Sequence, residues 1–289
     1  MHEIKIISRK GSRQRSQVIF CPSTWAEVTP KQALKVLPIV LGETRSHSVM
    51  VRVLSLLVTG VPPSFLLTLP AANVTQMIDC AKFVFEEELS VPVVSEVVVR
   101  GWIHERVFAM PSEKLGNATC FEFWVADEYY SKFMESRQDA DLDLLIATLL
   151  REKDQDKAAM MRREDDRVVL RSRREIEARA QRLKKLDATQ KAYILYFFSN
   201  CKKWIYHQFG QFIFEDTEDG DRDGGEGNPL GWYGLFQSVA QMGVFGTLDN
   251  ILFNTKFLDF CTFMVAKRLE DDRLKREQEL MRTKNEIND

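Results

Sequence analysis

The sequence predicts a mainly α, multi-helix globular fold with a small N-terminal β-hairpin and a short β element near residues 91–110. Three observations carry this. In Ala192–Phe209, Ile194, Phe197, Phe198, Cys201, Trp204 and Ile205 recur three or four residues apart, the period of a helix with one broad buried face. Asp187 with Gln190, Thr29 with Gln32 and Thr119 with Glu122 have the spacing of helix N-caps and capping boxes, in which a side-chain acceptor satisfies backbone N–H groups lacking a helical partner. The third is a change of texture between Val91 and Met110, where β-branched residues broken by Pro92 and Gly101 read as strand.

Taken in order, Ile4–Ile7 and Gln17–Phe20 are β-prone runs around the basic KGSRQRS, which reads as a hairpin. Thr29, Pro30 and Gln32 then start a helix that Pro38 is expected to kink or end. Met50, Val53, Leu54 and Leu57 mark a second helix, stopped by Gly60 and Pro62. Ala71–Leu89 reads as a third, with a stripe of Val74, Ile78, Ala81 and Phe85. Thr119 opens a helix through Phe123, Tyr130, Phe133 and Met134, and Leu142, Leu145, Ile146 and Leu149 form the next. The densely charged 151–191 stretch keeps Ile176, Ala180 and Leu183 at helical spacing, so it reads as a solvated helix across the core. After the aromatic helix, EDTEDGDRDGGEGNPLG is an acidic, Gly-rich linker. Trp232–Met242 is helical with Gly243 as its C-cap, Leu248–Asn254 is a short turn or helix, and Thr255 is expected to cap a last helix burying Phe257, Phe260, Cys261, Met264 and Val265. Past Leu269 the stripe thins to Leu274, Leu280 and Met281, as in a projecting or docking helix. These breaks divide the chain into 1–115, 116–214, the linker 215–229, and 230–289.

The 289 residues carry a formal charge of −2, which gives no global attraction to polyanions, so any nucleic-acid binding has to come from a local patch. The leading patch is the basic helix 162–185, but its interspersed carboxylates disfavour it. Five scattered cysteines, among apolar neighbours and without C-x-x-C pairs, read as buried thiols in a reducing compartment. The N-terminal MHEIKIISRK lacks the apolar stretch of a signal peptide, and no run is long enough to cross a bilayer, so cytoplasmic residence without membrane contact is expected.

Asp219, Asp221 and Asp223 before Gly224 match the opening of a calcium loop, but Leu230 stands where its closing Glu belongs. They are the only metal candidates, and a solvated acidic linker is the favoured reading. No cofactor motif is present, no nucleophile and base share a recognisable spacing, and the four histidines stand apart, so no catalytic residue is named and a non-enzyme is expected. An enzyme with a dispersed active site is the alternative. Trp232 and Phe236, after the linker, and Leu274, Leu280 and Met281 in the tail are the candidate partner-binding residues.

Three stretches, STWAEVTPKQAL, FEFWVADEYYSKF with LDLLIATLLREKD, and GWYGLFQSVAQMGVFGTLDNILFNTKFLDFCTFMVAKR, resemble helical proteins encoded among the tail-morphogenesis genes of bacteriophages and prophages of Bacteroidetes-type hosts. The resemblance implies an assembly role in the host cytoplasm, as a tail assembly chaperone or minor tail component. Its partner would be another tail protein, such as a tape-measure protein, held through helical surfaces. It implies no catalytic or ligand residue.

Overall fold

The computed structural model describes residues 2–10, 13–59, 63–66, 68–100, 105–153, 165–213 and 231–288. The chain is mainly helical with a few strands, and it divides into two compact units. The first comprises residues 1–110 and 184–200, the second residues 111–183 and 201–289. The aromatic helix Ala188–Ile213 thus gives its first half to one unit and its second half to the other.

In the first unit, β1 (His2–Lys10) and β2 (Arg13–Cys21) form an antiparallel hairpin in which Ile4 faces Ile19 and Lys10 faces Arg13. Its base is tied by a bridge from Phe20 to Thr59. Helix α1 (Pro30–Gly42) starts on the expected capping box, and Gln32 also donates to the Leu57 carbonyl at 2.6 Å, at the end of α2 (His47–Leu57). Val36, Leu37, Val53, Leu54 and Leu57 are buried. Helix α1 does not end at Pro38 but runs on past it, with Ile39 buried beyond it and the Ile39 carbonyl accepting from Glu43 N–H at the helix end. After the short α3 (Pro63–Leu66), the expected single helix over 71–89 is two: α4 (Ala71–Cys80) and α5 (Phe83–Glu86), parted at Ala81 and Lys82. A continuous helix would turn Phe83 about 200° from Ala81. The break lets both be buried, with Phe83 edge-on to Trp25 at 5.6 Å. Strands β3 (Glu96–Arg100) and β4 (Glu105–Ala109) make the expected short hairpin. Tyr193 is buried, and its hydroxyl accepts from Val94 N–H at 3.0 Å.

The second unit is built on α6 (Cys120–Ser136) and α7 (Asp139–Leu149), which pack as a helical hairpin turned at Arg137 in the left-handed conformation, φ 57°. The short strand β5 (Arg151–Glu152) follows, then α8 (Arg173–Leu183) and the second half of α9 (Ala188–Ile213), a helix that starts within the first unit's residues on a reciprocal Asp187–Gln190 cap. The unit is completed by α10 (Gly231–Gln241), α11 (Leu248–Asn254) and α12 (Phe257–Asn288). Gly243 ends α10 with φ +74°, a conformation glycine adopts without strain. Thr247, not foreseen as a cap, accepts from Asn250 N–H at the start of α11. Thr255 does not cap α12: its hydroxyl donates to the Asn250 carbonyl, while its own carbonyl takes Cys120 N–H and so ties α11 to α6.

The core of this unit is aromatic. Phe123 and Phe257 stack with ring centres 3.7 Å apart, Trp232 stands edge-on to both, and Phe236 meets Phe260 at 4.9 Å. Among the described residues no helix is long and apolar enough to cross a membrane.

Candidate functional site

Two features of the second unit stand out: a cluster of charges that is mostly buried, and the exposed outer part of its last helix. The cluster begins at Glu122, which the Thr119 spacing predicts as a capping-box partner. Thr119 does accept from Glu122 N–H at 3.2 Å, but the Glu122 carboxylate is fully buried and serves two arginines instead. Oε2 takes Arg151 Nη2 at 2.8 Å, and Oε1 takes Arg167 Nη1 at 2.8 Å. Asp165 closes the square, accepting from Arg151 Nη2 and Arg167 Nε at 3.0 Å each. The Asn117 side chain bonds both Arg167 and Asp165 at 3.0 Å. Arg151 also donates to the Val168 carbonyl, and Arg167 to that of Leu149.

Two carboxylates thus meet two guanidiniums, and the square is neutral. Its members differ in balance. Burial, aided by the neighbouring Arg167 charge, lowers Arg151 to about 10, and its Nε has no hydrogen-bond partner among the described residues. Burial acts on Arg167 in the same direction, but its denser bonding to Glu122 and Asp165 outweighs it and raises that group. A smaller group lies alongside: buried Arg179 donates to Glu152 at 2.9 Å and to the Ala147 carbonyl at 2.8 Å, and Glu152 also takes Arg182. Together these bonds, with Val168 N–H on the Glu152 carbonyl at 2.8 Å, hold the chain at 151–153 against 165–168.

This corrects the reading of 151–191 as solvated. Arg151, Arg167 and Arg179 are buried, because each finds carboxylates and carbonyls inside the protein. The sequence did carry a signal, since Glu122 stands between Phe121 and Phe123, Arg151 follows ATLL, and Arg167 precedes VVL. Charges embedded in apolar runs are candidates for burial in pairs.

At the rim, Glu128 on α6 is bound at 2.5 Å by Arg173 on α8, whose guanidinium also lies over the Trp124 and Tyr129 rings. The hydrogen bond from Arg173 is the main reason the Glu128 carboxyl is drawn down to about 2. A depressed folded-state value favours folding above the ordinary carboxyl range and loses that contribution as pH falls towards 2. Arg173→Ala is therefore expected to return the Glu128 titration towards 4.5, checked by NMR of its side-chain carboxyl. The variant should also be less sensitive than the wild type to acid between about pH 5 and 2, and an unchanged Glu128 titration would refute the pairing.

The second feature is α12. Phe257, Phe260 and Cys261 are buried, but from Ala266 onward the helix leaves the core. The 23 residues from there to its end span about 34 Å at 1.5 Å per residue. Pairs at i,i+4, Lys267–Asp271, Arg268–Asp272 and Arg273–Glu277, reinforce it on its surface. Leu269, Leu274, Leu280 and Met281 are 55%, 42%, 64% and 70% exposed. Leu274 and Met281, seven apart, share one face, where with Glu277, Gln278 and Arg282 they line a shallow hollow. Leu269 and Leu280, eleven apart, share another.

The residues expected at a partner surface therefore divide. Leu274, Leu280 and Met281 are exposed on α12, whereas Trp232, at 7% exposure, and Phe236 lie in the aromatic core. Trp232 is held there by its packing and by donation from Nε1 to Asp127 at 3.2 Å. Asp127 Oδ1 in turn lies 2.5 Å from Lys202 Nζ, which sits over the Tyr130 and Tyr206 rings. Burial, then the Asp127 charge, pushes the Tyr206 hydroxyl well above its usual range. Asp219, Asp221 and Asp223 lie outside the described residues, among which no three metal-ligating side chains cluster. Of the cysteines, Cys21, Cys120, Cys201 and Cys261 are buried and Cys80 is half-buried, and burial raises Cys21 to about 12.

No protein-family model, characterised protein or solved structure matches this chain.

Proposed function

We propose that this is a non-enzymatic binding protein that docks on a helical partner through the outer part of α12. The observation that carries the reading is a stiff, mixed-charge helix with four large apolar side chains left in water. Each could contribute about 1.5–3 kcal/mol when fully covered, before the costs of association are subtracted. A partner helix laid against either apolar face would cover them. The resemblance to phage tail-morphogenesis proteins gives that partner a class, another tail protein such as a tape-measure protein. The role is that of a chaperone-like or minor tail component working in the host cytoplasm.

The basic 162–185 stretch supports a nucleic-acid role less well, since Arg167, Arg173, Arg179 and Arg182 are each already bonded to carboxylates. Glu122, Arg151 and Arg167 in the square are buried and bonded to one another's charges or to Asp165, which supports the non-enzymatic reading over a dispersed active site built on them.

Affinity purification from infected or lysogenic cells, followed by mass spectrometry, is expected to recover a tail protein. Deleting Glu270–Asp289, or combining Leu274→Glu, Leu280→Glu and Met281→Glu, should weaken that binding at least tenfold, about 1.4 kcal/mol. Helical circular dichroism of the triple variant and its melting temperature should stay near the wild type. Undiminished binding by the triple variant, or a collapse of its fold, would refute the reading.

A further inference from the structure

The β3–β4 hairpin carries an exposed apolar pair and, beside it, an open edge. Val98 and Val107 stand opposite each other in the ladder, so their side chains share a face, and they are 48% and 37% exposed. Val97 and Phe108, the next pair along and so on the other face, are buried. Among the described residues β3 is paired on one side only, by β4. Met110 N–H donates to the Ser95 carbonyl at 2.8 Å, one step beyond the Glu96↔Ala109 pair. Hydrogen-bonded and non-hydrogen-bonded pairs alternate along an antiparallel ladder, so Val97 and Val99 bond across to β4. The backbone N–H and C=O groups of Glu96, Val98 and Arg100 then turn to the outer edge. An edge of this kind beside exposed valine is a template for a further strand.

The sequence of the edge identifies that strand. From Glu96 to Arg100 β3 reads EVVVR, a run whose charge reverses end for end about Val98. Laid antiparallel on itself, it sets Glu96 against Arg100, Val97 against Val99 and Val98 against Val98. Opposite charges across a ladder stabilise it and like charges oppose it, so the ends favour this arrangement over a parallel one that would set Glu96 against Glu96. We propose that β3 is a self-association edge, through which two copies of this chain pair antiparallel about a two-fold axis at Val98 and join their hairpins into one sheet. The outward N–H and C=O of Val98 bond their counterparts in the second copy, and those of Glu96 and Arg100 bond each other. On the outer face the axis brings the two Val98 side chains together with Val107 of each copy behind them, and this strip of valine is partly withdrawn from water. The contact is isologous and closed, so it makes dimers and not filaments. A five-residue strand forms a contact below standard size, so the dimer is weak and depends on concentration.

Sedimentation velocity of the full chain from about 1 to 200 μM, the range suited to a contact of this size, is expected to show monomer passing to dimer. Val98→Lys, which opposes two ammonium groups on the axis, should raise the dissociation constant at least tenfold and leave the far-UV circular dichroism unchanged. Val98→Pro should act likewise, since it removes an N–H that faces the outer edge and not β4. Cross-linking reads the geometry directly. Residues in a hydrogen-bonded antiparallel pair have Cα atoms about 5.5 Å apart, within reach of a disulfide, so Val98→Cys under mild oxidation should give a linked dimer on non-reducing electrophoresis. Val107→Cys, three strand spacings or about 14 Å from its counterpart, should stay at the wild-type background. Glu96→Arg and Arg100→Glu should each lose self-association, and the two variants mixed should pair with each other. The proposal is overturned by a monomer at every concentration, by Val98→Lys associating like the wild type, by Val107→Cys linking as fast as Val98→Cys, or by no pairing in the mixture. It is also overturned by a dimer that Leu274→Glu, Leu280→Glu, Met281→Glu abolishes and Val98→Lys does not, which would put self-association on α12. Docking of a tail protein on α12 is read separately, by the pull-down.

Discussion

Arg167→Met is expected to destabilise the protein by about 3–5 kcal/mol, seen as a lowered urea midpoint with little change in the steepness of unfolding. The cost arises from what is left behind. Glu122 is wholly buried and is bonded to Arg167 and Arg151, so removing Arg167 leaves one guanidinium to serve two carboxylates. Arg151 is poorly placed to replace it, because its Nη1 is on the Val168 carbonyl, its Nη2 already serves both Glu122 and Asp165, and its Nε reaches neither carboxylate. Water cannot readily compensate, since Arg151, Arg167 and Glu122 are at most 1% exposed. The double variant Glu122→Met, Arg167→Met should cost clearly less than the sum of the two single changes, because it removes one whole ion pair and leaves Arg151 with Asp165. Arg174→Met, on the exposed side of the same charged stretch, should change stability by less than about 0.5 kcal/mol. If Arg167→Met cost no more than Arg174→Met, the square would not be a structural pin.

Much of the helical plan was legible because it rests on local chemistry. Thr29–Gln32 and Asp187–Gln190 form their caps from residues three apart, and nothing distant has to be known. The buried face of Ala192–Phe209 was legible for a similar reason, since Ile194, Phe197, Phe198, Cys201 and Ile205 are all buried. That the helix is shared between two units was not legible, because the apolar stripe continues unbroken across residues 200 and 201. Glu122 was misread because the same spacing serves a capping box or a buried pair. What decides is a pair of arginines 29 and 45 residues away. The split at Ala81 likewise depends on Trp25, a distant partner for Phe83. The thinning stripe beyond Leu269 correctly marked α12 as leaving the core, since a helix that buries nothing needs no apolar face.

Trp232 separates the two roles a large aromatic can play, and Trp232→Ala is expected to cost about 3–5 kcal/mol. The indole packs edge-on against Phe123 and Phe257 and lies beside Phe236, so its removal opens a hole between three rings that cannot all close on it. It also strips a donor from Asp127, which would then rely on Lys202 among the partners described above. For a chain of this size the melting temperature should fall by about 6 °C or more. Trp232→Phe keeps most of the ring and loses only the bond to Asp127, so about 1–2 kcal/mol is expected. The ordering of these two variants locates the energy in packing. A Trp232→Ala protein that melts like the wild type but no longer recovers its partner would place Trp232 at the interface, as its position just after the acidic linker first suggested. A melting loss that exceeds any effect of Leu274→Glu, Leu280→Glu and Met281→Glu on stability would leave binding to α12 and folding to the aromatic core.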